Sequence, residues 1–297
     1  HGSSLWVRVF IMVQHKKGIW VAVGVFIAVL SLASSIQLFQ SRSQMLETAA
    51  LRVDLPGYLV SEWVTESLNN VEFILRETLA DFNSRDLNEG DWSLQEVERI
   101  NADLARRAQM NGHMVFLGVF DEDCVVRFGS IPSTIGDDGM DMGRSYCLDV
   151  LEPPIDQLKL SGFFVSSTGA MNVSATYPLM SESGEVAGFA LAGLDLSFFQ
   201  RWLDELDDPS VTLTIMDDQR RLLARNPGPT ELGRVIEDQG LSDFLSSADI
   251  RSSFRRESPV DGLERIWSLR RMRDLPLVVA SGFSISEVLS PWYAQLA

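Results

Sequence analysis

An apolar run, Val115-Phe116-Leu117-Gly118-Val119-Phe120, an acidic turn, Asp121-Glu122-Asp123, and a second run, Val125-Val126-Arg127-Phe128, spell out a β-hairpin. The scheme returns downstream: residues 211–216 form a strand, Asp217-Asp218-Gln219 is another acidic turn, and 221–224 form the return strand. Working outward from the first hairpin, residues 130–160 are turn-rich and irregular, with Gly136-Asp137-Asp138-Gly139 and Pro153-Pro154. Strands resume at 162–166, 171–178 and 186–196, the last two joined by the turn Ser181-Glu182-Ser183-Gly184. A helix from about 197 to 206 presents Phe198, Phe199, Trp202, Leu203 and Leu206 on one face. After the second hairpin come the loop Asn226-Pro227-Gly228-Pro229, a short helix around 234–247, and strands near 251–257, 263–272 and 276–283. Two copies of one order of elements predict an α+β class with two tandem domains, each built on a central antiparallel sheet.

Upstream the texture is helical. Residues 18–41 carry no charge and include Ile19, Trp20, Val21, Phe26, Ile27 and Leu30, enough apolar length to cross a bilayer as one helix. Arg8, Lys16 and Lys17 precede it and the first acid is Glu47, so the positive-inside bias predicts a cytoplasmic amino terminus and an extracytoplasmic bulk. A cleaved signal peptide, ending near Ala33-Ser34-Ser35, is the alternative. Residues 1–4 read as a tag or linker remnant. Beyond the anchor, Leu59, Trp63, Leu68, Val71, Leu75, Leu79 and Phe82 recur at helical spacing, with a kink or restart expected at Pro56-Gly57. Residues 83–91 are loop-like, and Ser93 with Glu96 has the spacing of a capping box that opens a helix burying Val97, Ile100, Leu104 and Ala108.

Composition excludes several functions. Three of the 25 basic residues and none of the 41 acidic ones precede residue 40, leaving a net charge of −19 on the rest, a surface that repels nucleic acid. Of three histidines, His1 is in the tag, His15 is on the cytoplasmic side and His113 stands alone, so no metal cluster is expected. No nucleophile elbow or phosphate-cradling loop is present, and neither catalysis nor a cofactor is implied. Cys124 and Cys147 would face an oxidising compartment; spacing leaves open a disulfide or two separately buried thiols, the latter being the plainer reading.

In order along the chain, Val119-Phe120-Asp121-Glu122-Asp123, Met142-Gly143-Arg144-Ser145-Tyr146, Gly188-Phe189-Ala190-Leu191-Ala192-Gly193-Leu194-Asp195-Leu196, Ile215-Met216-Asp217-Asp218 with Arg225-Asn226-Pro227, and Leu275-Pro276-Leu277-Val278-Val279 resemble the double Cache sensors. These are two PAS-like domains borne on one long helix, found in bacterial chemoreceptors, histidine kinases and diguanylate cyclases. The resemblance covers about residues 43–290. The closing Ser284-Ile285-Ser286-Glu287-Val288-Leu289 and Trp292 look most like sensors that precede GGDEF domains, although no such motif occurs in this chain. The resemblance implies a cytoplasmic start at 1–17, a membrane helix at 18–41, a stalk helix at 42–92, a membrane-distal domain at 93–206, a membrane-proximal domain at 207–290, and at 291–297 the beginning of a link to a second membrane helix. It also implies residence in the bacterial inner membrane and a parallel homodimer packed along residues 43–82.

For the site, Arg144 offers a planar fork of donors to a carboxylate, and Tyr146 a ring with a hydroxyl. In amino-acid sensors of this family an arginine near aromatics holds the ligand carboxylate and a strand-end aspartate its amine, a place Asp195 would take. Cys147 and Ser145 depart from that pattern. Phe164, Ser166 and Thr176 are expected wall residues, and the ligand is expected to be a small molecule, carboxylate or amino-acid-like. Arg144 pairing with Asp195 to order the loop is the competing expectation. Arg225, Arg255 and Arg256 read as surface charge, and the second domain as a relay of motion. A chemoreceptor ectodomain, or an anchored binding protein without an output domain, is the alternative whole-molecule reading.

Overall fold

The computed structural model describes residues 3–82, 87, 92–153, 156–165, 171–206, 208, 210–228, 232–273 and 275–296, with side chains described from residue 24 onward except at 163–165 and 171. Two compact units result: His1–Arg52 with Ile285–Ala297, and Val53–Ser284.

The first unit holds helix α1 (Ser3–Arg52) and the short helices α7 (Ile285–Val288) and α8 (Ser290–Leu296). Among the described residues α1 exposes Val25, Phe26, Ile27, Val29, Leu30, Leu32, Ile36 and Phe39, which lie on all sides of the helix with no protein against them, as suits lipid. The helical run that begins at Gly24 is long and apolar enough to cross a membrane, and its apolar window is unburied. The Trp292 indole donates to the Leu38 carbonyl at 3.0 Å, fastening α8 to α1.

The second unit begins with α2 (Asp54–Leu79). The helix restarts after Val53, three residues before Pro56, because a proline in the first turn of a helix replaces a donor that has no intrahelical acceptor. Its buried face is Val60, Val64, Leu68, Val71, Leu75 and Leu79. The expected Leu59 is instead 57% exposed and Trp63 only partly buried. Counting back from Leu68 in fours gives 64 and 60, so the downstream residues fix the phase. Helix α3 (Leu94–Met110) opens with the expected capping box: Ser93 Oγ accepts from Glu96 N, and Glu96 accepts from Ser93 N. It buries Leu104 and Ala108 fully and Val97 and Ile100 in part.

The first lobe is a sheet of β1 (Met114–Asp121), β2 (Val126–Gly129), β3 (Lys159–Val165), β4 (Met171–Met180) and β5 (Val186–Asp195), in the order β2-β1-β5-β4-β3. Helix α4 (Tyr146–Asp149) lies in its 130–158 segment, and α5 (Ser197–Asp204) follows it. The second lobe repeats the pattern with β6 (Val211–Asp217), β7 (Leu222–Asn226), β8 (Arg251–Glu257), β9 (Glu264–Arg271) and β10 (Leu277–Ser284), ordered β7-β6-β10-β9-β8, and carries α6 (Gln239–Ser246). All neighbouring strands are antiparallel. One sheet face of the first lobe, Leu117, Val119, Val173, Ala175, Tyr177, Ala190, Ala192 and Leu194, packs in one core with the buried stripe of α2.

The two hairpins share an atomic device. Asp121 Oδ1 accepts from Val125 N at 2.8 Å and its Oδ2 from Arg127 Nε at 2.6 Å; Asp217 Oδ1 accepts from Arg221 N and its Oδ2 from Arg221 Nε, both at 2.7 Å. Three residues after each aspartate the chain turns through positive φ, at Cys124 (64°) and Arg220 (67°). The acidic turns are therefore backbone caps made by the carboxylate.

Candidate functional site

Opposite the face that α2 covers, the first sheet carries Phe116, Phe120, Phe189 and Leu191 beside a polar row on β4. Asn172, Ser174 and Thr176 alternate along that strand and are 1% exposed or less, and Ser161 sits across from Ser174 on β3. Asn172 Oδ1, Ser174 Oγ, Thr176 Oγ1 and Ser161 Oγ are buried with no hydrogen-bond partner. Leaving a buried polar atom unpaired costs about 1–3 kcal/mol, so four in one patch is an arrangement a polar ligand would relieve. Next to the row the floor is low: Gly193 lies between Ser174 and Phe116, and the Phe116 ring occupies the space a side chain at Gly118 would need.

The cover over this face comes from the irregular segment. Tyr146, 7% exposed, packs edge-on to Phe120 and Phe189 with ring centroids 5.7 and 6.3 Å apart. Burial raises its phenol pKa, with Arg144 opposing the shift. Cys124 and Cys147 form a disulfide with Cα atoms 5.7 Å apart, which corrects the reading of two separate thiols: the left-handed turn at Cys124 and the helix carrying Cys147 meet over Gly139. A Cβ at Gly139 would lie 2.7 and 2.8 Å from the two sulfurs, so only glycine fits under the bridge. Arg144, half-buried, donates its backbone N–H to Gly139 O at 3.0 Å. The bridge thus anchors the segment holding Arg144 and Tyr146 to the tip of the first hairpin.

The expected residues fare unequally. Tyr146 and Thr176 lie on the face just described. Asp195 ends β5 opposite Asn172, but its carboxylate is occupied by Ser197, accepting from its N–H at 2.9 Å and from its hydroxyl. It caps the start of α5 and does not pair with Arg144. Phe164 is on β3, paired with Asn172, with its side chain outside the described residues; Ser166 lies outside them altogether. Asn172, Ser174 and Ser161 were missed. The signal was present in Asn172-Val173-Ser174-Ala175-Thr176-Tyr177, whose polar residues keep a strand's period of two. A cleft of 340 Å³ opens between the lobes, lined among others by Lys159, Ser161, Gly162, Asp217, Asp218 and Arg221.

In the second lobe the corresponding face holds Met216, Leu241, Trp267, Leu269 and Ala280 around a cavity of 50 Å³ that Arg225 also lines. Arg225 is 3% exposed, which overturns its reading as surface charge: it stands on β7, where Nη1 donates to Thr214 Oγ1 at 3.0 Å and Nη2 to Asp261 at 2.8 Å. Arg255 and Arg256 are exposed as expected, pairing with Glu264 and Asp238.

This two-lobed arrangement recurs in solved structures. The extracellular domain named rpHK1S-Z16, assigned to a histidine kinase, superposes with a TM-score of 0.66 at 20% identity over 83% of this chain and 99% of its own. The sensor domain of the Vibrio cholerae histidine kinase DctB gives 0.54 at 16%, covering 82% and 98%. The sensory domain of the Campylobacter jejuni chemoreceptor Tlp3, with isoleucine bound, gives 0.58 at 10%, covering 84% and 97%. The chain has the fold of extracellular sensor domains. No protein-family model and no curated protein matches the sequence. At these identities the likeness concerns the backbone, so every functional residue must be argued from this chain's own chemistry.

Proposed function

We propose that the chain is the extracytoplasmic sensing region of a membrane-anchored bacterial receptor, binding a small molecule in its first lobe and catalysing nothing itself. The observation that carries this is the row of buried, unpartnered polar atoms on Asn172, Ser174, Thr176 and Ser161, under a cover pinned by a disulfide. The shared sensor fold supports it, as does the unburied apolar helix at the amino terminus. In this reading residues 18–41 cross the inner membrane, 42–92 form the stalk, 93–206 the membrane-distal lobe and 207–290 the membrane-proximal one, with the lobes outside the cytoplasm. The ligand is carboxylate- or amino-acid-like, held by Arg144, Tyr146, Thr176 and the polar row, with Phe164 and Ser166 at the wall; Asp195 contributes only by releasing Ser197. Signalling is a population shift, since a ligand that prefers one arrangement of the cover biases it by its difference in affinity and by nothing more. The receptor is a homodimer, and its output domain is a diguanylate cyclase or a histidine kinase. The segment from Ser284 to Trp292 supports a return to the membrane, because α8 is fastened to α1. A chemoreceptor ectodomain is the second reading, favoured by the Tlp3 likeness; the codons that follow would separate the two.

The test is a thermal-shift screen of the full chain in detergent against amino acids, carboxylates and amines. A ligand at 100 times its dissociation constant should stabilise by about 2.7 kcal/mol. Thr176→Val removes a hydroxyl while keeping the shape. It should leave the free protein as stable or about 1 kcal/mol more so, and abolish the shift. If Thr176→Val and Ser174→Ala both bind the hit as tightly as the wild type, the site is elsewhere.

A further inference from the structure

Among the described residues, the second lobe buries more positive charge than it neutralises around Asp261. Arg225 and Arg265 are each 3% exposed, and both rely on one carboxylate, Asp261, through Arg225 Nη2 at 2.8 Å and Arg265 Nη1 at 2.6 Å. Arg265 Nε is buried with no acceptor. The neighbouring acids are committed or peripheral: Asp238 takes Arg256 and caps α6 at Leu241 N, Glu264 takes Arg255, and Glu257 is exposed at the rim. A buried guanidinium without its own counter-charge is unfavourable, and an incoming anion relieves it. The cavity beside Arg225 has 50 Å³, room for about four water-sized groups, and its walls include Met216, Leu241, Phe254, Trp267 and Leu269.

We propose that the second lobe holds its own binding site, for a short-chain monocarboxylate of two or three carbons, with the carboxylate on Arg225 and the alkyl end against the apolar wall. The small volume suits a short chain better than an aromatic or long one, and the largely apolar wall disfavours a second charge. Arg225 is also placed to report occupancy. Its backbone N–H donates to Gln200 Oε1 at 3.0 Å, and its carbonyl accepts from Gln200 Nε2 at 2.8 Å. Asn226 Nδ2 donates to the Leu203 carbonyl at 2.6 Å. Strand β7 is thereby stitched to α5, the helix that joins the two lobes. The second lobe becomes a second input, and its role as a passive relay is given up.

The experiment is titration calorimetry of the full chain in detergent with sodium propionate, against sodium chloride at equal ionic strength. The expected result is saturable one-to-one binding with a dissociation constant on the order of millimolar or tighter. Arg225→Gln should lose it, and so should Ala280→Leu, which fills the cavity and leaves every charge in place; Thr176→Val should keep it. If either cavity variant is unfolded, a nuclear Overhauser contact from the propionate methyl to an indole, absent in Trp267→Phe, reads the same position in folded protein. Absence of saturable propionate binding in the wild type overturns the proposal. So does binding that survives Arg225→Gln and Ala280→Leu, and binding lost only in Thr176→Val would assign propionate to the first lobe, leaving the sensor reading intact and this site refuted.

Discussion

At position 113 a half-buried imidazole stacks on Phe198 with ring centroids 4.3 Å apart, in an aromatic group where Trp63 of α2 lies flat on Trp202 of α5 at 4.0 Å. Its Nε2 is buried without a partner. Burial first, and the charge of Arg201 second, lower the His113 pKa. The unfolded chain therefore binds a proton at higher pH than the folded one, and stability must fall as pH drops below the unfolded value of about 6.5 toward the lower folded value. Urea titrations between pH 7.5 and 5 should show that decline, and His113→Phe should flatten it; an unchanged slope in the variant would remove His113 from the account. Single residues are also where the sequence was least legible. Arginine is so often exposed that Arg225 read as surface, although its setting in Leu222-Leu223-Ala224-Arg225 marks a strand interior. Asp195 was legible in place but not in role, because a carboxylate two residues before a serine can be satisfied locally. The place of Thr176 on that sheet face was legible because its strand was; placing Ser174 and Asn172 beside it required reading that strand's alternation through to the far end.

Elements were more legible, because each rests on several residues that agree. The hairpins, the capping box at Ser93 and the strands of both sheets stand where periodicity and turn chemistry put them, whereas the early phase of α2 was ambiguous because apolar residues come in pairs, Leu59 with Val60 and Trp63 with Val64. The disulfide stayed one of two open readings in the sequence, since it depends on how the irregular segment folds back, and 23 residues of separation allow many paths. Its energetic part is the closure of that loop, worth about 3 kcal/mol to the folded state in the chain-entropy view. Its positional part is to hold Arg144 and Tyr146 over the sheet. Cys124→Ser with Cys147→Ser should lower the unfolding free energy by roughly that amount. It should weaken the ligand proposed for the first lobe more than tenfold while leaving the proposed second-lobe propionate binding unchanged. Equal weakening at both sites would mean that the bridge supports the whole body and does not position the cover.

At the scale of the molecule, the outward face of α2 bears on how two copies would meet. Leu55, Leu59 and Phe73 are 57–61% exposed and fall on one stripe with Glu62, Glu66 and Asn69, the three-and-four spacing of a coiled-coil seam. In the proposed parallel dimer each of these residues faces its own counterpart. The apolar ends then attract, and the glutamates at the centre repel across the axis. Such a seam is weak by construction, which suits the proposed receptor, whose helices would shift in response to a ligand. The two contributions make opposite predictions for substitution. Phe73→Glu should weaken association by at least tenfold, whereas Glu62→Gln with Glu66→Gln should tighten it and reduce its dependence on salt, since screening relieves the same repulsion. Analytical ultracentrifugation of the full chain in detergent at two ionic strengths reads both effects. A wild-type dimer that weakens as salt is added would mean that attractive charges hold it, and that the stripe from Leu55 to Phe73 is not the seam.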